Sequence, residues 1–134
     1  MYLPIPQAKG LAAHYQDGLK TGQIRLQSCV TCQTTWHYPR PACPGCGSRS
    51  YQWIMASGTG IINTFTIVHH APTPELKSET PYVVAMIDLE EGARMTGTVI
   101  GMAPLDCQIG DPVIIEIPTS EAGEPGMPVF RSAP

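Results

Sequence analysis

Charged side chains are scarce in this 134-residue chain. Asp, Glu, Lys and Arg together make up 14% of its residues, against about 25% in an average globular protein. Hydrophobic residues make up 43%, so apolar area is abundant relative to charge. We infer that part of the surface is covered by another protein.

Positive charge is also scarce. The formal net charge is -3, and the eight basic residues are scattered along the chain without forming a block. Non-specific binding to nucleic acid depends on Lys and Arg that neutralise phosphates. The composition therefore favours a chain without a nucleic-acid partner.

Targeting signals and long apolar runs are missing as well. The first six residues, MYLPIP, offer neither the basic region nor the apolar run of a secretory signal. No apolar stretch has the length of a membrane span. The five cysteines are an odd number, which does not suit a disulfide framework. We expect a cytoplasmic protein from a reducing compartment, with no membrane partner.

Four of the cysteines form two Cys-x-x-Cys pairs: Cys29 with Cys32, and Cys43 with Cys46. A pair at this spacing closes a tight turn with both sulfurs on one side, and Gly47 suits the left-handed position that closes such a turn. Two turns that face each other supply the four thiolates of a tetrahedral Zn²⁺ site. Iron fits the same ligands. Because all ligands come from the protein, the predicted site is structural and has no position for water.

The residues around the cysteines predict a helix and a zinc ribbon. Leu11, Tyr15 and Leu19 share one face of a helix over residues 8–21. This face would pack either onto its own domain or onto a partner. Residues 23–28 alternate as a strand does, and residues 23–53 as a whole predict two short hairpins held by the metal.

The remaining residues predict a small β-barrel. Strands are expected at residues 61–69, 82–89, 93–100 and 113–117, with a last edge strand at 127–131. Five short strands at this spacing are typical of a closed barrel. Gly58, Gly60 and Gly97 are expected at bulges that let the barrel curl, and residues 70–81 form a long loop at its rim.

Single residues outside the cysteine pairs are poor candidates for catalysis. Cys107 has no adjacent His, basic residue or helix N-terminus to activate its thiol, and neighbouring Asp106 would raise the pKa, so a packed thiol is expected. His69 and His70 end a strand, but they lack a nucleophile nearby. Contact with a partner suits them better, and the same holds for Lys77 and Arg94.

Two further groups have alternative roles. Arg40 lies between two prolines and is expected to bond carbonyl groups of the ribbon, although contact with a partner is an alternative. The aromatic residues near the cysteines would either stack on bases or fill the core of the ribbon, and the low positive charge favours the core. They are Trp36, Tyr38, Tyr51 and Trp53.

The order of these motifs resembles a known family. After the first cysteine pair come Tyr38-Pro39-Arg40, Cys43-Pro44-x-Cys46-Gly47, Ser57-Gly58-x-Gly60 and Thr64-Phe65-Thr66. The chain is similar, over roughly residues 8–118, to the small acyl-CoA-associated proteins that carry an N-terminal helix, a rubredoxin-like zinc ribbon and a C-terminal OB-fold. The expected fold is therefore mainly β, with a helical segment at 1–22, the ribbon at 23–53, and a five-stranded OB-fold barrel with its tail at 54–134.

The resemblance also implies a ligand set and a partner. It assigns the metal ligands, one by one, to Cys29, Cys32, Cys43 and Cys46. Gln33 departs from the pattern, because turns of this type often have Gly there, and a weaker hydrogen bond in the first turn is expected. Members of the family serve thiolase-fold enzymes as non-catalytic subunits or domains, so the resemblance implies such a catalytic partner, with acyl-coenzyme A (acyl-CoA) contacted jointly. It makes contact with CoA an alternative role for His69, His70, Lys77, Arg94 and Arg40.

The function expected from the sequence is that of a non-catalytic, zinc-binding OB-fold subunit. It would belong to a heteromeric thiolase-type, acetyl-CoA acyltransferase-like complex that performs Claisen condensation or C–C bond cleavage, with the catalytic Cys and His on the partner. The alternatives are a single-stranded nucleic-acid-binding zinc-ribbon OB-fold protein and an independent enzyme that uses Cys107 and a histidine.

Overall fold

A computed structural model describes residues 1–133 of the chain. These residues form one α-helix, eight strands and two short 3₁₀ helices, at Pro74–Glu79 and Pro104–Asp106. The helix and strands are α1 (Leu11–Lys20), β1 (Arg25–Cys29), β2 (Thr35–Trp36), β3 (Tyr51–Met55), β4 (Thr59–Val68), β5 (Tyr82–Leu89), β6 (Arg94–Ile100), β7 (Pro112–Glu116) and β8 (Val129–Ser132). The expected order of one helix, a small ribbon and a barrel is confirmed.

Helix α1 buries its apolar face within its own chain. Tyr15 and Leu19 are 1% and 0% exposed and belong to the same core as Leu26 of β1. The helix ends where the backbone N–H of Thr21 donates to the carbonyl of Gly18 at 3.0 Å. A ten-residue helix is marginal by itself, so this packing stabilises it. Of the two roles expected for the face, packing on its own chain is the one observed.

The ribbon and the barrel are two separate sheets. The sheet of the ribbon is antiparallel, and the sheet of the barrel is closed. Strands β2, β1 and β3 form the three-stranded sheet of the ribbon, in that order. The barrel is closed in the order β4-β5-β6-β8-β7, as the five-stranded prediction requires. The prediction of β8 as an edge strand is wrong, because β8 pairs antiparallel with β7 and parallel with β6. Its two neighbours close the barrel.

The prediction of bulges at the barrel glycines is wrong. Gly97 allows close packing, and Gly58 forms a turn. The register of β4 against β5 shifts between Ile62 and Thr64, so the irregularity lies at Asn63. Gly97 sits in an unbroken ladder opposite Ala85. A methyl group on Gly97 would come within 2.6 Å of the Phe130 ring. Gly58 adopts a φ of 96° in the turn before β4, a conformation that favours glycine.

One hydrophobic core joins the three parts of the chain. The buried side chains of α1 and β1 form a single cluster with barrel residues such as Ile62, Ile87 and Phe130. A smaller cluster beside it contains Cys29, Cys43 and Trp36, with Tyr51 packed against it. The barrel and the base of the ribbon therefore pack against each other. Within residues 1–133, no helix is long and apolar enough to cross a membrane.

The packing at Gly97 gives a test of the barrel. Phe130 is 0% exposed, so its ring has little freedom to move away from an added methyl group. We expect Gly97→Ala to lower the free energy of unfolding by about 1–3 kcal/mol, the usual cost of overpacking. Chemical denaturation followed by circular dichroism measures the effect. In the double variant with Phe130→Leu, the cost should be smaller than the sum of the two single costs; full additivity would contradict the assigned contact.

Candidate metal centre

The four paired cysteines converge on one point. Their sulfur atoms all lie within 4.8 Å of one another. The Sγ atoms of Cys29 and Cys46 are 3.7 Å apart, and those of Cys32 and Cys43 are 3.6 Å apart. A tetrahedron of sulfurs around Zn²⁺, with zinc–sulfur bonds of about 2.3 Å, has edges of about 3.8 Å. The donor set and its spacing therefore fit a tetrahedral metal ion.

The two cysteine turns have the same backbone hydrogen bond. The N–H of Gln33 donates to the carbonyl of Cys29 at 3.0 Å, and the N–H of Gly47 donates to that of Cys43 at 2.9 Å. Both closing residues are left-handed, with φ of 62° and 78°. The weaker hydrogen bond expected in the first turn is not observed. The departure from glycine instead places a side chain in a conformation that L residues disfavour.

Hydrogen-bond donors around the sulfurs favour thiolates. The Thr34 hydroxyl lies 3.1 Å from Cys32 Sγ, and together with the Thr34 N–H it lowers the pKa of Cys32 from 9.0 to about 6. The pKa of Cys29 is also lowered, chiefly by the N–H of Cys32. The N–H of Gly45 donates to Cys43 Sγ at 3.3 Å. Metals bind the deprotonated thiol, so these donors prepare the site for a cation.

The cysteine cluster is buried against the ribbon on one side and exposed to solvent on the other. Cys29 and Cys43 are buried next to Trp36, whereas Cys32 and Cys46 are exposed. Four protein ligands saturate a tetrahedral ion, so a bound metal would have no position for substrate. The geometry suits a structural role.

Gln27 supports the ribbon in a way that the sequence analysis missed. Its side chain is 0% exposed. Its amide donates to the carbonyl of Arg40 at 2.8 Å, and its carbonyl accepts from the Arg40 N–H at the same distance. The hydrogen bonds that the structure gives Arg40 are made by its backbone to the Gln27 side-chain amide, and among residues 1–133 its side chain has no hydrogen bond to a ribbon carbonyl. No local pattern marked Gln27, because the alternation of residues 23–28 places it on the polar face with Arg25.

The other candidate residues are dispersed. Cys107 is 5% exposed and lies in the core; burial and the nearby Asp111 carboxylate raise its pKa, so it is the packed thiol expected. Arg94 is engaged by Asp88, with 2.7 Å between its Nε and the carboxylate oxygen. The structure does bring His69, His70 and Lys77 together, along an open groove of about 460 Å³ beside the loop that follows β4.

The aromatic side chains near the centre mainly pack on one another. The ring centroids of Trp36 and Tyr51 are 6.0 Å apart, and those of Trp53 and His14 are 4.5 Å apart. Tyr15 contacts the rings of His37 and Tyr38, and burial lowers the pKa of His37 to about 4. Most of these rings fill the ribbon and its junction with α1, so they do not form a free stacking platform for bases.

The fold and the cysteine cluster define a zinc-ribbon and OB-fold protein, and comparison with known families agrees. Residues 16–52 match the ChsH2 rubredoxin-like zinc ribbon domain, and residues 53–117 match the ChsH2 C-terminal OB-fold domain. A DUF35 domain-containing scaffold protein of Methanothermobacter thermautotrophicus is 35% identical over 101 residues, which cover 74% of this chain and 75% of the relative. The chain belongs to this ChsH2/DUF35 family.

Two further relatives carry names of enzyme assemblies. A probable enoyl-CoA hydratase alpha subunit of Thermomonospora curvata is 36% identical over 130 residues. That alignment covers 97% of this chain but 40% of the relative, so the chain spans well under half of that protein. A chain of the solved Ltp2-ChsH2(DUF35) aldolase has a TM-score of 0.82 and 35% identity, with 97% of this chain and 100% of that chain covered.

Removing one ligand tests the role of the cysteine cluster. We expect Cys32→Ser to lose bound zinc and to unfold the ribbon, because a small metal-stabilised unit buries too little apolar area to fold alone. Metal analysis gives the zinc content, and amide hydrogen exchange over residues 23–53 reports the unfolding. A Cys32→Ser protein that retained one equivalent of zinc and its ribbon protection would contradict the assignment. Cys107→Ser is the matched control and should keep its zinc.

The hydroxyl of Thr34 is expected to lower the pH at which acid releases zinc from the cysteine cluster. The lowered pKa of Cys32 favours the folded thiolate form fully above about pH 9, and this contribution is lost as the pH falls toward 6. Thr34→Val removes the hydroxyl donor and raises the pKa, so acid should release zinc at a pH higher by roughly half a unit. A zinc-sensitive dye records the release. Thr34→Ser keeps the hydroxyl and should behave as the wild type; equal midpoints for all three proteins would refute the role.

Proposed function

We propose that this chain is a zinc-binding accessory subunit of a heteromeric enzyme that acts on acyl-CoA. The observation that carries the proposal is the match of nearly the whole chain to a complete chain of the Ltp2-ChsH2(DUF35) aldolase. The likeness to a hydratase alpha subunit supports the same role. The resemblance noted from the sequence adds a thiolase-fold catalytic partner that forms or cleaves a C–C bond.

The arrangement of reactive side chains supports a non-catalytic role. Among residues 1–133, the one thiol outside the metal cluster is Cys107, and it is buried with a raised pKa. His69 and His70 are exposed and line a separate groove with Lys77. A cysteine nucleophile needs a base within hydrogen-bond reach. The catalytic Cys and His are accordingly proposed to lie on the partner chain.

The metal is proposed to be a structural Zn²⁺ held by Cys29, Cys32, Cys43 and Cys46. Zinc would supply no reaction chemistry with four thiolate ligands, and its binding energy would stabilise the ribbon. The groove at His69, His70 and Lys77 is the proposed place where this chain contributes to CoA binding. Lys77 offers a positive charge and the histidines offer ring N–H donors, which suit phosphate groups.

Charge distribution argues against the nucleic-acid alternative. Residues 54–134, which include the barrel, contain ten acidic residues but three Lys and Arg. A surface of this kind repels a polyphosphate backbone. The packing of the ribbon aromatics on one another removes the second feature that the alternative needs.

Reconstitution tests the proposal. The chain and the thiolase-homologous subunit of the same organism are purified separately and then mixed. We expect a stable complex by size-exclusion chromatography, and acyl-CoA turnover that rises with the amount of this chain until the complex is saturated. Cys107→Ala should support the same turnover, because the buried thiol has no catalytic part. A partner that is fully active alone and forms no complex would overturn the proposal, whereas activity of this chain alone that is lost in Cys107→Ala would favour an independent enzyme.

A further inference from the structure

The loop between β6 and β7 exposes two large aliphatic side chains. Leu105 is 89% exposed and Ile109 is 69% exposed, the two highest values among the large exposed hydrophobic residues. They lie four residues apart in the loop of residues 101–111. Single exposed aliphatics are ordinary on a protein surface, but two in one loop form an apolar protrusion.

This loop is fixed in place, so the exposure belongs to a defined surface. Cys107, midway between the two aliphatic residues, is buried in the core. The N–H of Gly110 donates to the carbonyl of Ile62 in β4 at 2.8 Å, and the Asp111 carboxylate accepts from the N–H of Gln108 at 2.9 Å. A loop backbone held by such contacts loses little entropy when a partner binds the loop.

The apolar surface continues onto the barrel wall. The loop leads into Pro112, which lies opposite Ile61 of β4 in the ladder. Ile114 of β7 is two residues further along, so it shares the outer face with Pro112. Ile61 and Ile114 are 49% and 39% exposed. We name Leu105, Ile109, Ile61 and Ile114 the β4–β7 patch.

The charges of the loop in the β4–β7 patch have one sign. The loop contains Asp106 and Asp111 and no Lys, Arg or His. On the barrel wall, Arg131 of β8 lies opposite Ile114 and is paired with Glu116. A ligand for the patch must therefore be apolar at its centre and positive where it faces the loop.

We infer that the β4–β7 patch is the docking surface for the catalytic subunit, which receives it in an apolar recess rimmed by Lys or Arg. The inference rests on the proposed function, which supplies that partner. Aliphatic anchors fill the recess, and the acidic rim orients the encounter. Anionic lipid and nucleic acid are disfavoured as occupants, because the acidic rim repels both.

Affinity measurements on paired variants test the apolar part. Binding of the purified thiolase-homologous subunit to the immobilised full-length chain gives Kd. We expect the double variant Leu105→Ser, Ile109→Ser to bind about tenfold more weakly or worse. The control Val30→Ser, Met55→Ser removes two other exposed hydrophobic residues, 57% and 62% exposed, from the ribbon region, and should bind as the wild type does. Equal affinity of the loop variant and the wild type, or equal losses in both double variants, would overturn the inference.

The charged rim has its own test. Asp106→Lys should slow association with the same subunit several-fold at low salt, and added NaCl should reduce the difference. Unchanged association at low salt would refute the positive rim. Circular dichroism and zinc content must match the wild type in every variant, and a variant that fails is replaced by Leu105→Ala or Asp106→Asn.

The outcomes separate the inference from the proposed function. If the wild-type chain does not bind the catalytic subunit, the proposed function fails and this docking surface fails with it. If the wild type and the loop variant bind equally, only the docking surface fails. If the loop variant abolishes self-association but leaves binding to the catalytic subunit intact, the patch joins two copies of this chain and the assigned occupant is wrong.

Discussion

The convergence of four sulfur atoms is the constraint on which the ribbon depends. Thiolates closer than 5 Å repel one another, and the N–H and hydroxyl donors around Cys29 and Cys32 offset only part of that repulsion. A dication at the centre of the set would remove the rest and would tie together two turns that are ten residues apart in the chain. The pairing of β1 with β2 and β3 brings the two turns together, and the buried Gln27 fixes the linker between them through the backbone of Arg40.

A second constraint couples this ribbon to the barrel. The apolar face of α1, the inner side of β1 and the barrel interior share one core, so the metal centre stands at a fixed place relative to the rim loops. The closure of the barrel needs β8 between β6 and β7, and the absence of a side chain at Gly97 makes room for the Phe130 ring. The rigid barrel then presents the β4–β7 patch and the groove at His69 as separate features of one body.

The chemistry divides between stability and recognition. The four clustered cysteines would complete the ligand set of one metal ion. The single remaining thiol, Cys107, is buried. What the barrel exposes is an acidic surface with aliphatic side chains at one end, together with a small polar groove. This distribution suits the proposed accessory subunit, whose surface must fit a second protein and whose interior needs no reactive group.

Much of the architecture was determined by the sequence itself. Short-range patterns carried the information: the cysteine spacing indicated the four-sulfur cluster, Leu11, Tyr15 and Leu19 indicated the helix, and alternation indicated the barrel strands. Contacts between distant residues required the tertiary structure, because no local pattern encodes them. The parallel pairing of β8 with β6, the bond between Gln27 and Arg40, the packing of Phe130 over Gly97 and the pairing of Pro112 with Ile61 all join residues that are at least 13 positions apart. The burial of each side chain and the distribution of surface charge are likewise properties of the folded chain. The tertiary structure determines which side chains contact one another and which remain exposed to a partner.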